Sequence, residues 1–416
     1  MNKQAAFFSR FLLPLLMLFF LLSAPFAQAQ EDTTIIVASD LHYISPKLTD
    51  HGAYFTRMIA AGDGKIVQYC EEIVEALISE VIAAKPDCLI LPGDVTFNGA
   101  RQSHEDLAQK LMRVREAGIP VYVLPGNHDM NNYNAASFSG DSFTRLGGIS
   151  PEEFASIYAQ LGFSDALSRD PASLSYIAEP VCGLRILMLD VNYPWDSNAV
   201  SEQTFLWLEE QLADARAAGA KVISVTHQNI YAHNSLLSYG YVIRNAELLR
   251  ALYDQYGVRL NLSGHMHMQH IIEGSSGLCE IASSSLLVSP CQYGVIRLSG
   301  NRGTYHTQKT DVAAWARAKG IEDDALLRFP EYADAFFRAT SIGQSEEMLS
   351  GAENTEEMIQ FLCDVNAAYF AGRPDLIEDR PDMLRAWAQT GTFFGEYLIS
   401  ILREKIRNHT ALDFSL

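Results

Sequence analysis

Five short signatures, rich in histidine and carboxylate, each follow directly on a short apolar, β-rich run. They read Asp40-Leu41-His42, Gly93-Asp94, Gly126-Asn127-His128-Asp129, His227 and Gly264-His265-Met266-His267. The runs before them are Thr33 to Ser39, Cys88 to Leu91, Val121 to Leu124, Lys221 to Val225 and Arg259 to Leu262. That placement constrains the fold more than any other feature, because the end of a buried strand is where an open α/β sheet presents chemistry. Each signature alone is a common turn sequence. Their order and context give them weight.

Helical periods separate several of these runs. Ile66, Ile73, Val74, Leu77 and Val81 share one face of a helix expected from Gly64 to Ala84. A second runs from Ser103 to Glu116 and stops at Gly118. Helices are also expected over Glu202 to Ala218 and Arg244 to Gln255. Further strands are expected at Leu174–Ala178, Leu184–Leu189, Leu278–Ile281 and Gly294–Leu298, so part of the sheet system is antiparallel. The alternation argues for a layered α/β core. Asn131 to Gly148 is polar, rich in Gly and Ser, and too long for a simple connection, and long loops beside a site are often functional. Beyond residue 310 only helical patterns recur, at Val312–Lys319, Asp324–Ala339, Thr355–Phe370 and Pro374–Arg407. The expected division is a signal peptide over 1–29, a catalytic domain over 30–309 and a helical C-terminal domain over 310–416.

Lys3 and Arg10 precede an uncharged apolar stretch from Phe11 to Leu22, and Ala27-Gln28-Ala29 offers a cleavage site. The stretch is shorter than the ~20 residues of a spanning helix. Export to a secreted or periplasmic location is the expectation, with no stable membrane insertion after cleavage. The remainder would carry 29 basic against 50 acidic residues, a net charge near −21. Such a surface repels nucleic-acid polymers, yet bound divalent ions would still admit a small anionic substrate. Cys70, Cys88, Cys182, Cys279, Cys291 and Cys363 contain no C-x-x-C pair. Cys279 and Cys291 are the best candidates for a disulfide in an oxidising compartment.

Two divalent ions a few ångströms apart need a bridging carboxylate with imidazole and oxygen ligands around it. Asp40, His42 and His267 suit one ion, and Asn127, His227 and His265 the other. Asp94, after the tight Pro92-Gly93 turn, suits the bridge. The mixed donor set favours manganese, iron or zinc over calcium. His128 is a candidate general acid, with Asp129 or another carboxylate orienting its ring. His51, His104, His270 and His306 read as surface or satisfied core residues, while His233 is a fallback ligand or substrate contact.

In sum these signatures resemble the calcineurin-like metallophosphoesterase superfamily, with its D-x-H, G-D, G-N-H-[DE], H and G-H-x-H motifs, over residues 33 to 308. The resemblance implies a β-sandwich flanked by helices and a dinuclear site at one sandwich edge. It also implies in-line attack by a hydroxide between the ions. Metal roles carry over to Asp40, His42, Asp94, Asn127, His227, His265 and His267, and the acid role to His128. Gly93-Asp94-Val95-Thr96-Phe97-Asn98-Gly99 is similar to the class III cyclic-nucleotide phosphodiesterase branch, some of whose exported bacterial members carry a helical C-terminal addition. Phe97 stands where purple acid phosphatases have a ligating Tyr. Phe97 and Asn98 also break the G-D-x-x-D-R-G run of protein Ser/Thr phosphatases. Gln228 replaces the second His often seen after the fourth motif.

The implied activity is hydrolysis of small phosphodiesters, with 3′,5′-cyclic nucleotides the leading candidates. An exported phosphomonoesterase, or a non-catalytic binding protein stabilised by metal, are the alternatives. The intact ligand set argues against the last.

Overall fold

The computed structural model describes residues 32–192, 198–346, 349, 355–404 and 408–416. The proposed signal peptide lies outside them.

Strand β1 (Thr33–Val37) runs parallel to β2 (Cys88–Leu91), and β2 runs parallel to β3 (Val121–Val123). The crossovers carry α1 (Ala53–Ala60), α2 (Cys70–Ala84) and α3 (Arg101–Glu116). The helix expected from Gly64 begins instead at Cys70, after a short 3-10 turn over Val67–Tyr69. The long polar loop then forms a hairpin of β4 (Ala136–Ser139) and β5 (Ser142–Arg145), followed by α4 (Pro151–Ile157).

The chain next builds a second sheet from β6 (Ser168–Arg169), β7 (Tyr176–Val181) and β8 (Leu184–Met188). After α5 (Glu202–Ala217) come β9 (Lys221–Val225), α6 (Ala246–Tyr256) and β10 (Leu260–Ser263). Then follow β11 (His270–Glu273) and β12 (Cys279–Ala282). The sheet order is β11-β12-β10-β9-β8-β7-β6, parallel through β8, β9, β10 and β12 and antiparallel at both ends. Strand β13 (Gln292–Ser299) returns antiparallel to β1, and β14 (Arg302–Lys309) continues that sheet outward.

The two sheets enclose one large apolar core: Ile35, Val37 and Ile90 share one face of the first sheet, Ile186, Ile223, Leu262 and Ile281 share one face of the second, and all belong to it. Leu208, Leu212, Leu249 and Tyr253 from α5 and α6 cover the outer side of the second sheet. This is the expected sandwich with helical flanks. Because β1, β2 and β3 are parallel, as are β9 and β10, the signatures leave the sheets from carboxyl ends.

The C-terminal region is helical: α7 (Val312–Lys319), α8 (Asp324–Leu327), α9 (Phe329–Glu346), α10 (Thr355–Phe370), α11 (Pro381–Gln389) and α12 (Phe393–Leu402). Its last described residues depart from that pattern. Strand β15 (Ala411–Ser415) pairs antiparallel with β14 and forms the outer edge of the first sheet. The alternation in β15 is shallow, with no residue buried, so it carries little hydrophobic signal.

The Cys279–Cys291 disulfide expectation is corrected. All six cysteines are free: Cys279 lies on β12 of the second sheet, while Cys291 directly precedes β13 of the first.

Candidate metal centre

The backbone itself is unusual where the signatures lie. Asp40, His42, Asp94, His265 and His267 have φ of 53°, 38°, 46°, 69° and 58°. Non-glycine residues rarely adopt such values, and clusters of them occur where surrounding structure over-determines a site. Two motif glycines are explained by contact. A Cβ on Gly93 would lie 2.6 Å from His227 Nδ1, and one on Gly126 would overlap the Asp94 carboxylate.

The sequence-scattered groups converge. Ligand atoms of Asp40, His42, Asp94 and His267 lie within 4.8 Å of one another, as do those of Asp94, His227 and His265. Asp94 belongs to both groups. Its Oδ2 is 3.4 Å from His227 Nε2 and 3.9 Å from His42 Nε2 and His128 Nε2. His42 Nε2 faces His267 Nε2 at 3.0 Å, and Asp40 Oδ1 is 3.4 Å from the latter. Asn127 Oδ1 reaches His227 Nε2 at 3.1 Å. Asp40 also accepts the His265 N–H at 3.0 Å, which ties the first signature to the fifth.

The second nitrogens fix how these rings face. His227 Nδ1–H donates to the Pro92 carbonyl at 2.9 Å and His265 Nε2–H to the Gly240 carbonyl at 3.2 Å. His267 Nδ1 pairs with Asp63 Oδ2 at 3.3 Å. Each ring therefore turns its remaining nitrogen toward the acidic groups, the arrangement that orients metal-bound imidazoles. Two adjoining groups of imidazole nitrogens and carboxylate oxygens that share Asp94 form a donor set that fits two metal ions. Burial would raise the Asp94 carboxyl, but the charges of His227 and His128 hold it well below the ordinary range. Burial and Lys65 would lower His267, yet its bonds to Asp40 and Asp63 carry it to about 9.

Asp63 was not singled out from the sequence. It lies between two glycines, Gly62 and Gly64, in a motif-free loop, and no local signal distinguishes it.

His128 borders the cluster without joining either group. Its Nδ1–H donates to the Phe97 carbonyl at 2.9 Å, leaving Nε2 toward Asp94. The expectation that Asp129 orients this ring is therefore corrected. Asp129 is fully buried and accepts from the backbone of Val95, Thr96 and Gly126 and from the Thr96 hydroxyl, at 2.8–3.1 Å. It clamps the second signature to the third. His104, as expected, is a satisfied core residue, bonded to the Asp129 carbonyl at 2.9 Å and to Tyr158 at 3.0 Å.

The fallback role of His233 is also corrected: it lies outside the centre, 3.1 Å from Glu280 and 3.0 Å from His270. His270, Glu404 and His409 form a further compact group. His409 Nδ1 accepts the Ile271 N–H at 3.0 Å, so the neutral ring carries its proton on Nε2 and has no lone pair left for an ion. This group is a hydrogen-bonded anchor for the C-terminal region.

That region backs the fifth signature directly. His265 and His267 face the cluster, while the alternating Met266 and Met268 are buried with Met358, Leu362, Tyr369, Trp387 and Leu398 from α10 to α12. Burying each methionine contributes about 1.5–3 kcal/mol. Gln269 adds bonds to Phe370 and His409 backbone at 3.0 and 2.9 Å.

A cavity of about 380 Å³ opens beside Asn127 and His265. Asn131, Asn132, Asn192 and Gln228 line it, and among the described residues no carboxylate does. Despite the chain's net charge of −19, the described lining offers neutral amides where an anion would approach.

The profile of the calcineurin-like phosphoesterases matches residues 33–269. The chain belongs to the calcineurin-like phosphoesterase family. A second profile, the C-terminal domain of cyclic nucleotide phosphodiesterase, matches residues 311–408 of this calcineurin-like protein. Two proteins described as probable cyclic nucleotide phosphodiesterases are similar to it over 73 residues, 18% of this chain. One, from Vesicomyosocius okutanii subsp. Calyptogena okutanii (strain HA), is 32% identical; the other, from Ruthia magnifica subsp. Calyptogena magnifica, is 33% identical. The match spans 30% of the length of each. Among solved structures, a dimetal phosphatase from Danio rerio is 15% identical, with a TM-score of 0.48, over 67% of this chain and 96% of that one. A purple acid phosphatase from yellow lupin is 14% identical, with a TM-score of 0.45, over 67% of this chain and 52% of that one.

Proposed function

We propose that this protein is a metal-dependent phosphodiesterase acting on small diesters, with 3′,5′-cyclic nucleotides as leading substrates. The observation that carries the reading is Asp94, shared by two compact donor groups and approached by three imidazoles. The 311–408 profile match and the description of the two partial relatives support the diester preference.

Asp40, His42, Asp94 and His267 would hold one divalent ion, and Asp94, Asn127, His227 and His265 the other. Manganese, iron and zinc suit these donors. Bound there, the ions would supply positive charge for the phosphoryl oxygens and an activated water. The protein supplies the geometry. The Pro92 and Gly240 carbonyls and the Asp63 carboxylate hold three rings, so the ligands need little rearrangement to coordinate. The amides of Asn127, Asn131, Asn132, Asn192 and Gln228 would donate to an anionic group.

His128 would give a proton to the departing alkoxide. The Phe97 carbonyl keeps its Nδ1 protonated, so exchange takes place at Nε2. Phe97 itself offers no ligand. Export, resting on the pattern of residues 1–29, completes the proposal.

The test is turnover of bis(4-nitrophenyl) phosphate and of 4-nitrophenyl phosphate by manganese-loaded and chelator-stripped protein. The proposal expects metal-dependent hydrolysis with the diester preferred. Equal rates after stripping would end it, and a monoester preference would redirect it to phosphomonoesterase chemistry.

A further inference from the structure

A second cavity, of about 310 Å³, lies on the side of the centre that His128 borders. Its floor is the β4–β5 hairpin. Phe138 and Phe143 are direct cross-strand partners, as are Ala136 and Arg145, and all four line the cavity. Alternate residues of a strand share a face, so the hairpin presents a two-ring platform with a guanidinium at its end. Tyr54 of α1 adds a third ring, its centroid 6.1 Å from that of Phe138 and near parallel, and 5.1 Å from that of Phe143. The Arg145 guanidinium lies 5.7 Å from the Phe143 ring and 5.9 Å from that of Tyr133.

The platform is fixed in place. Asp50 accepts from Ser139 and from the Gly140 N–H, and the Gly140 carbonyl accepts the Tyr54 N–H at 3.0 Å. Phe143 nevertheless stays 41% exposed, an apolar ring left open beside a polar centre. The size falls within the range of small-molecule sites. His128 lies in the same lining, so what occupies this cavity is joined to the alkoxide oxygen that His128 would protonate.

We infer that this cleft holds an aromatic group on the alcohol side of the ester, the nucleobase of a nucleotide, stacked on Phe143 and capped by Arg145, with the buried Phe138 and the half-buried Tyr54 behind it. The inference rests on the phosphoesterase reading above and extends it to the arm's chemistry. Stacking explains why three rings surround one opening, and Arg145 favours an electron-rich ring over an aliphatic group.

The experiment compares AMP with ribose 5-phosphate as inhibitors of bis(4-nitrophenyl) phosphate hydrolysis by the manganese-loaded full chain. Both offer the same phosphate, and only one has a base. AMP is expected to inhibit on the order of tenfold more tightly, as stacking of one base implies. In Phe143→Ala and Arg145→Ala the preference should shrink toward one, and Phe143→Leu, which keeps apolar bulk, should lose most of it. Equal inhibition by the two monoesters in the unaltered protein overturns the inference, as does a preference that survives all three substitutions. Titration calorimetry of both monoesters on the loaded protein gives the same ratio without turnover. A failed hydrolase reading is thereby separated from a failed cleft.

Discussion

Asp63→Asn tests whether a residue outside every motif helps build the centre. Asp63 Oδ2 lies 3.3 Å from His267 Nδ1, while the opposite nitrogen of that ring faces His42 at 3.0 Å and Asp40 at 3.4 Å. Removing the charge frees the ring to rotate and lowers the basicity of Nε2. Loss of such an outer partner generally costs about 10–100-fold in metal affinity. Asp63 is 49% exposed, so solvent screens it and the lower end applies, about tenfold or about 1.4 kcal/mol. Only the ion at Asp40, His42 and His267 should weaken, since Asp63 does not touch His227 or His265. Competitive chelation followed by metal analysis should show one ion leaving at about tenfold lower chelator than in the parent protein. Unchanged retention of both ions, or parallel loss of both, would refute the reasoning.

His128→Ala should keep both ions and slow hydrolysis most for diesters with poor leaving groups, by about 10²–10⁴-fold; a uniform loss across leaving groups would remove its acid role. Asp129→Ala should leave three backbone N–H groups without an acceptor and cost about 3 kcal/mol or more, read as a fall in Tm. An unchanged Tm with reduced turnover would instead make Asp129 part of the chemistry. Burial depresses His104 to about 3 and His270 to about 4, so the folded protein holds both neutral. Their contribution is complete above about pH 6.5 and lost as pH falls toward 3–4, because the unfolded chain takes up protons first. Thermal melts should therefore decline steadily from pH 7 to 4, and a flat profile would contradict this.

What could be read from the sequence follows from which interactions are local. The ligand motifs were legible because each lies within a few residues of a buried run such as Cys88–Leu91, so strand and chemistry announce each other. Asp63 was hidden because its partner His267 is adjacent only in space. Asp129 misled for the opposite reason: it is next to His128 in the chain, yet its side chain turns inward to the Thr96 loop. Strand β15 was missed because an edge strand needs little burial, and β14 because only Gly303 and Tyr305 of it are buried. The hairpin hidden in Asn131–Gly148 has one fully exposed strand, Ser142–Arg145, which erased its alternation. Met266 and Met268 carry no signal of their own beside the histidines of the fifth signature. Their role is apparent only with the C-terminal helices packed against them.

Anomalous diffraction from manganese-loaded crystals tests the central claim most directly. The account predicts two peaks flanking the Asp94 carboxylate, one bounded by Asp40, His42 and His267 and the other by Asn127, His227 and His265. A single peak, or none within bonding distance of Asp94, would contradict it.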